Sequence, residues 1–164
     1  MEYRDLYNVK RELTGERILK NDIIPDNRYI MMVVIFIENN NHEFLIQKRV
    51  SNKGGKWATT GGHPKSGESS LEGIIAEVGE ELGIKINFPI LFKRAEGKNT
   101  FCDLYYLKKN ISLSDLTIQA EEVENVKWAS IDEIKRLMKN DEFNKGHFMM
   151  FNDCLEFIGQ NKGT

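Results

Sequence analysis

Three glutamates are spaced so that they would share one face of a helix. Glu77, Glu80 and Glu81 lie within about 100° of one another when each residue turns the helix by about 100°. Carboxylates packed this closely repel each other, so a bound cation would relieve them. Because every ligand would be an oxygen, Mg²⁺ or Mn²⁺ is the expected cation. An acidic face turned to solvent is the alternative interpretation of the same spacing.

The segment around these glutamates carries the signals that begin and end a helix. Ser69 followed by Glu72 is a capping box, in which the hydroxyl and the carboxylate satisfy free amide donors at the helix start. Gly83 supplies the matching stop. Gly73 lies on the glutamate face, where a missing side chain would let another group approach the backbone. A separate apolar stripe predicts packing on a sheet, and it consists of Leu71, Ile74, Ile75, Val78 and Leu82.

Strands are predicted on both sides of this helix. Residues 29–38 are almost wholly apolar and rich in β-branched and aromatic side chains, which predicts a central strand buried on both faces. The asparagine run 39–41 predicts a turn into a second strand at residues 44–50. Further strands are predicted at residues 57–60, 86–96, 101–109 and 123–129, and further helices from Ser130 to about Lys139 and around residues 148–158. This order indicates one α+β domain.

Size and charge restrict the class of protein. A chain of 164 residues is expected to form one core, and a net charge of −2 provides no broad positive field for duplex nucleic acid. The N-terminus has no signal peptide pattern, and the longest apolar run, residues 29–37, is far shorter than the roughly 20 residues that span a bilayer. We therefore expect a cytoplasmic protein without a membrane partner. The sequence leaves open whether the chain forms a homodimer.

The spacing of residues 62–84 resembles the Nudix box. The eight matching positions are Gly62, Glu68, Glu77, Val78, Glu80, Glu81, Gly83 and Ile84. The resemblance extends to residues 44–49, to Lys56-Trp57 ahead of Gly61, and to residues 126–128. It implies an α+β fold, a Nudix-like mixed β-sheet sandwiched between α-helices. Residues 1–28 would form an N-terminal arm packed on the domain, and residues 29–164 the Nudix hydrolase domain.

The resemblance also implies roles for individual residues. Glu77, Glu80, Glu81 and the carbonyl of Gly61 are similar to the metal ligands of the family, and Glu81 is the first candidate for activating the attacking water. Glu68 resembles the glutamate that braces the loop, and it is included with the three helix glutamates among the catalytic candidates. The implied reaction is metal-dependent hydrolysis of a phosphoanhydride in a small-molecule diphosphate, a nucleoside diphosphate linked to another moiety. The linked moiety is not fixed by the family.

One position departs from the box. Ala76 stands where the family places an arginine that pairs with glutamates, so Glu68 and Glu77 should be less firmly oriented. Lys65 is the nearest cation in sequence that could substitute. The departure leaves a second hypothesis open. In it the chain is a catalytically weakened Nudix-fold module with a nucleotide-binding or regulatory role, which binds its ligand without cleaving it.

A third hypothesis follows from Gly62-His63-Pro64 and the N-terminal arm, which are similar to isopentenyl diphosphate isomerase. That enzyme has a catalytic cysteine where Gly61 stands, and a histidine ligand ahead of the strand that begins at Tyr29, where this chain has none. The two departures disfavour isomerase activity. Both cysteines of the chain, Cys102 and Cys154, are predicted to be core thiols.

Other polar residues give weaker signals, each with a surface role as its alternative. Basic side chains just before the box could meet substrate phosphates, and these are Lys48, Arg49, Lys53 and Lys56. Glu121 or Glu122 could supply an added metal ligand or general base. His63 could act in the site or only form local hydrogen bonds.

Overall fold

The computed structural model describes residues 1–162, so residues 163 and 164, the end of the predicted domain 29–164, lie outside the described residues. In chain order the strands are β1 (Tyr3–Tyr7), β2 (Leu13–Leu19), β3 (Ile30–Glu38), β4 (Glu43–Arg49), β5 (Trp57–Ala58), β6 (Gly61–Gly62), β7 (Ile90–Glu96), β8 (Thr100–Lys108) and β9 (Val123–Ser130). The helices are α1 (Ser70–Leu82), α2 (Ile131–Lys139) and α3 (Lys145–Lys162). Strands and helices therefore mix along the chain, as the sequence predicted.

Strand β3 lies at the centre of a mixed sheet, which confirms the prediction from its apolar sequence. The sheet runs in the order β5-β4-β3-β8-β7, with β6 paired to β3 and β9 paired to β4. The β3 and β8 strands are parallel, in register from Ile30 opposite Thr100 to Glu38 opposite Lys108. The other pairs in this sheet are antiparallel. Because β3 has neighbours on both edges, its backbone groups are satisfied within the sheet.

Alternate residues of β3 fill two separate cores. Val33 and Ile35 belong to the cluster that also contains Val78 of α1. Val34 and Phe36 belong to a second cluster, which contains side chains of α2 and α3 such as Ile134 and Phe151. Successive side chains of a strand point to opposite faces, so the sheet lies between α1 on one face and α2 with α3 on the other. The predicted sandwich is confirmed.

Helix α1 begins and ends as its caps predicted. The Ser69 hydroxyl accepts from the Glu72 amide, the Glu72 carboxylate accepts from the Ser69 amide, and Gly83 takes a left-handed φ of 71°. The expectation for Leu71 is wrong, because its side chain is 44% exposed. Leu71 lies in the first turn, before Ile74 and the residues that follow it onto the sheet.

The strand predicted from residue 86 begins later. Ile86 is buried in the core against α1, but β7 starts only at Ile90. Phe88 has a φ of 55°, outside the range of an extended strand, and Pro89 has no amide to donate. Because of these two residues the strand begins at Ile90 rather than at residue 86.

An antiparallel hairpin of β1 and β2 lies against the sheet. Tyr7 exchanges backbone hydrogen bonds with Tyr29, just ahead of β3. Arg11, in the hairpin turn, forms an ion pair of 2.5 Å with the buried Asp103 of β8. The Arg11 guanidinium also lies 5.5 Å from the centroid of the Phe101 ring. These contacts fix the hairpin at one end of the sheet.

Two further expectations concern membranes and thiols. In the part of the chain that the structure describes, none of the helices has the length and apolar character to cross a bilayer. Cys102 and Cys154 are both buried and free, as predicted.

The first turn of α3 is attached to the sheet through His147. Nδ1 of its ring accepts a hydrogen bond of 3.3 Å from the Thr59 amide and lies 2.9 Å from the Thr59 hydroxyl. An imidazole nitrogen that accepts from an amide carries no proton, so the ring is neutral in this arrangement. Burial, with a smaller contribution from Arg49, lowers the pKa of His147 to about 4.

This arrangement predicts an acid-sensitive part of stability. The unfolded chain binds a proton on His147 near pH 6.5 and the folded chain only near pH 4, so stability from this residue is lost as pH falls between those values. His147→Gln should therefore lose less unfolding free energy than the parent between pH 7 and pH 5, by about 1–2 kcal/mol. Urea unfolding at the two pH values measures this. Equal losses in the two proteins would contradict the assignment.

Candidate functional site

A cavity of about 400 Å³ opens between α1, β6 and the hairpin. Gly61 and the three helix glutamates all line it, so the four predicted metal ligands come together in one place. The rest of the lining is strongly charged and includes Glu2, Arg4, Lys20, Arg49, Lys53 and Glu122. A concave surface with opposed acidic and basic groups suits a phosphorylated ligand with a metal ion.

Glu81 is the most firmly held of the three helix glutamates. It is only 6% exposed, and Nε2 of Gln47 donates a hydrogen bond of 2.6 Å to its Oε1. The Gln47 carbonyl in turn accepts from the Thr60 hydroxyl at 2.8 Å. Because Gln47 and Thr60 are themselves buried, this chain of hydrogen bonds fixes the Glu81 carboxylate against the cavity.

Glu77 lies one helical turn before Glu81, and the two carboxyls share a hydrogen bond. Burial raises the pKa of both groups, and the charge of Glu81 raises that of Glu77 further. The Gln47 hydrogen bond acts in the opposite direction on Glu81. Burial and the neighbouring charge therefore favour the protonated form of Glu77, and its hydrogen bond to Glu81 lowers the pKa of Glu81.

Gly62 makes room for the Glu77 side chain. A Cβ atom at Gly62 would lie 2.4 Å from Cδ of Glu77 and 2.6 Å from each of its oxygens. A side chain there would push the carboxylate away. The glycine that opens the box is thus required by this close approach rather than by an unusual backbone angle.

Glu80 is turned to a different partner. Its Oε1 accepts from Nζ of Lys65 at 2.6 Å, and this hydrogen bond is the first of the causes that raise the pKa of Lys65. Lys65 was the nearest candidate in sequence to substitute for the missing arginine, and its side chain forms its ion pair with Glu80. Ala76 itself is half-buried on α1.

The donor set fits a small divalent cation. Glu77, Glu80, Glu81 and the Gly61 carbonyl offer only oxygen atoms, and a cation beside Glu77 and Glu81 would relieve the repulsion that raises the pKa of Glu77. Among residues 1–162, no group of three acidic, histidine or cysteine side chains is already close enough to enclose a metal. Glu80 would have to leave Lys65 to complete the set.

Glu68 lies outside this cavity, on the loop before α1. Its Oε1 accepts from the Lys65 amide at 2.7 Å, so it braces the loop, and the cavity lining does not include it. Asp5 of β1 holds the same loop from the other side, accepting from the Ser66 hydroxyl at 2.6 Å and the Gly67 amide at 2.9 Å. The hairpin and Glu68 together fix the loop that leads into the acidic helix.

The basic residues ahead of the box separate into two pairs. Arg49 and Lys53 line the cavity, and both pair with Glu122, at 3.0 and 3.3 Å. Lys48 and Lys56 do not line it and pair with the exposed carboxylates of Glu124 and Asp141.

The acidic pair Glu121 and Glu122 divides in the same way. Glu121 is exposed and does not line the cavity, whereas Glu122 does. The structure thus brings Glu122 close to the helix glutamates and leaves Glu121 on the surface.

Sequence reasoning missed several residues of the cavity wall. Arg4 and Lys20 come from the hairpin, and no local pattern marks them as site residues. Gln47 is a polar residue after the apolar run 44–46, and that break in the pattern could have identified it. His147 gave no signal because its contact to Thr59 spans 88 positions. His63 also lines the cavity, where burial together with nearby Arg4 and Lys20 lowers its pKa to about 4.

The thiols bear on the isomerase hypothesis. Neither Cys102 nor Cys154 lines the cavity, and burial raises the pKa of both. The cavity therefore contains no thiol that could act as an acid or base.

Known proteins share this sequence and this fold. The profile of the NUDIX domain matches residues 28–151. An uncharacterized Nudix hydrolase of Listeria monocytogenes is 33% identical over 153 residues, which cover 87% of this chain and 88% of that protein.

Two solved structures resemble the fold. The protein DR0079 of Deinococcus radiodurans superposes with a TM-score of 0.72 at 22% identity, covering 92% of this chain and 96% of that one. A second match is a bifunctional NMN adenylyltransferase/ADP ribose pyrophosphatase of Francisella tularensis, in complex with AMP and manganese. It superposes with a TM-score of 0.62 at 22% identity, covering 84% of this chain and 43% of that one. The matched profile and the Listeria relative, with the cavity built on residues 61–81, show that this chain belongs to the Nudix hydrolase family.

Proposed function

We propose that this chain is a Mg²⁺- or Mn²⁺-dependent pyrophosphohydrolase that cleaves a phosphoanhydride bond in a nucleoside diphosphate linked to another moiety. The observation that carries the proposal is the pair formed by the half-buried Glu77 and the buried Glu81 on the wall of a charged cavity. A surface acidic face would have no reason to be buried, because burial of like charges is unfavourable. A site that binds a cation explains why the pair is there.

Each residue has a defined task in this proposal. Glu77, Glu80, Glu81 and the Gly61 carbonyl would hold the metal, which when bound neutralises diphosphate charge and lowers the pKa of a bound water. Glu81, oriented by Gln47, accepts the proton of the attacking water. The water oxygen bonds to one phosphorus, the bridging oxygen leaves with the other phosphate, and the released proton passes to solvent.

The cavity's cations act on the substrate rather than on the metal. Arg49 is held at one side by Glu122 and can orient a phosphate oxygen near the acidic wall. The Francisella neighbour binds AMP and manganese, and this supports a nucleotide-derived substrate and a divalent ion for the present chain.

The second hypothesis, a module that binds without cleaving, is favoured by one specific observation. Lys65 forms an ion pair with Glu80, and α1 has Ala76 in place of the arginine of the family. A chain in which Glu80 never left Lys65 would bind ligands but hold metal poorly.

Turnover separates the two hypotheses. The protein is incubated with nucleotide sugars, dinucleotides and nucleoside triphosphates, with Mg²⁺, with Mn²⁺ or with a chelator, and released nucleotide and phosphate are measured. Metal-dependent release from at least one compound is the result we expect. Binding of these compounds without any release would support the module instead.

Glu81→Gln tests the central carboxylate. The amide keeps the size of the side chain but loses the charge, so metal-dependent turnover should fall about 10²-fold or more. Glu121→Gln is the matched control, because Glu121 is exposed and lies outside the cavity, and its turnover should equal that of the parent. If Glu81→Gln kept the parental rate, the assignment of the site would be wrong.

Gly62→Ala tests the close approach of the loop to Glu77. The added Cβ would overlap the Glu77 carboxyl, and displacing that flexible end should lower turnover by about 10²-fold with little loss of thermal stability. Gly79→Ala is the control, since its Cβ would approach nothing closer than 3.8 Å, and it should stay active. Parental activity in Gly62→Ala would show that the Glu77 position does not matter.

A further inference from the structure

The cations around the cavity differ in whether a carboxylate neutralises them. Arg49 and Lys53 both pair with Glu122, and Lys65 pairs with Glu80. Arg4 and Lys20 line the same cavity, and neither forms an ion pair in the described part of the chain. The two cations that remain available to a ligand therefore come from the hairpin.

Arg4 is held in place although its charge is not paired. Its Nε is buried and has no hydrogen-bond partner among the described residues. The carboxylates that act on it electrostatically are Glu2, its close neighbour in the chain, and Glu77 of α1. On either side of Arg4 in β1, the Tyr3 carbonyl accepts from the Ser66 amide and Asp5 accepts from Ser66 and Gly67. The strand is thus fixed while the guanidinium stays unpaired.

Lys20 follows β2 and is exposed at the rim of the cavity. Arg4 and His63 line the same cavity as Lys20. The cavity thus contains two cations without ion-pair partners among the described residues, and α1 contributes the helix glutamates.

We propose that Arg4 and Lys20 bind an anionic group on the moiety linked to the nucleoside diphosphate, a further phosphate or a carboxylate. This inference rests on the proposed function, since it assigns the linked moiety of the same substrate. Because the metal would hold the diphosphate at the acidic wall, two cations without a carboxylate partner are available to negative charge on the linked moiety. The guanidinium fork and the ammonium group both bind phosphate and carboxylate oxygens.

A set of three uridine nucleotides tests this assignment. UDP-glucuronic acid differs from UDP-glucose by a carboxylate in place of a hydroxymethyl group, and UTP carries a third phosphate instead of a sugar. The parent protein should hydrolyse UTP or UDP-glucuronic acid with a kcat/KM at least about tenfold above that of UDP-glucose. Comparison of UTP with UDP-glucuronic acid shows whether the group is a phosphate or a carboxylate.

Variants of Arg4 and Lys20 test whether these residues cause the preference for an anionic substrate. Arg4→Met and Lys20→Met should each reduce the preference severalfold, mainly through KM for the anionic substrate. Arg4→Lys, which keeps the charge, should retain part of it. Arg17→Met is the matched control, because Arg17 lies on the same hairpin over the Tyr3 ring and does not line the cavity. A parent without preference, or a preference unchanged in both methionine variants, would overturn the proposal.

A protein that hydrolysed none of these nucleotides would contradict the proposed hydrolase activity, and the subsite would then be tested by binding. If none of the three nucleotides were cleaved, each would be titrated calorimetrically into the parent and Lys20→Met with Mg²⁺ present. Tighter binding of UTP or UDP-glucuronic acid than of UDP-glucose by the parent, reduced in Lys20→Met, would support the subsite. Equal affinities, or no binding, would overturn it.

Discussion

The burial of two carboxyls side by side is the constraint on which the rest of the site depends. Burial raises the pKa of Glu77 and of Glu81, and the charge of Glu81 raises that of Glu77 further. The surrounding chain limits that cost through the buried Gln47, whose amide donates to Glu81. Gly62 contributes by having no side chain where Glu77 lies. Residues from two separate strands, β4 and β6, therefore support one pair of acids on α1.

The N-terminal hairpin contributes both to the architecture and to the charge of the site. Asp5 fixes the loop at Ser66 and Gly67, and that loop leads directly into the acidic helix. Arg4, the residue before Asp5, lines the cavity. Because adjacent residues hold the loop and supply the cation, any shift of β1 would move the loop and the positive charge together. The geometry of the acidic wall and of the basic side is thus coupled through one strand.

Local sequence determined more of the fold than of the site. The limits of α1 follow from Ser69, Glu72 and Gly83, all of which lie in or beside the helix they delimit. The box positions of the glutamates likewise depend only on short spacing. By contrast, Gln47 contacts Glu81 across 34 positions, and the Arg4 contribution depends on how the hairpin packs. A polar residue after an apolar run could have marked Gln47, but contacts between distant segments leave no periodic pattern in the sequence, so its partner Glu81 could not be predicted.

Ala76 stands where the family has an arginine, and this changes how the carboxylates of α1 are paired. An arginine offers a planar fork that can orient two carboxylates at once, whereas the Lys65 ammonium is a compact charge that here forms its ion pair with Glu80. Lys65 acts on Glu77 only through its charge, and burial together with the Glu81 charge still raises the pKa of Glu77. A cation that entered would compete with a proton for Glu77 and with Lys65 for Glu80. The acidic wall is therefore organised in pairs before metal binds, and becomes a single site only when a cation provides more stabilisation than both partners.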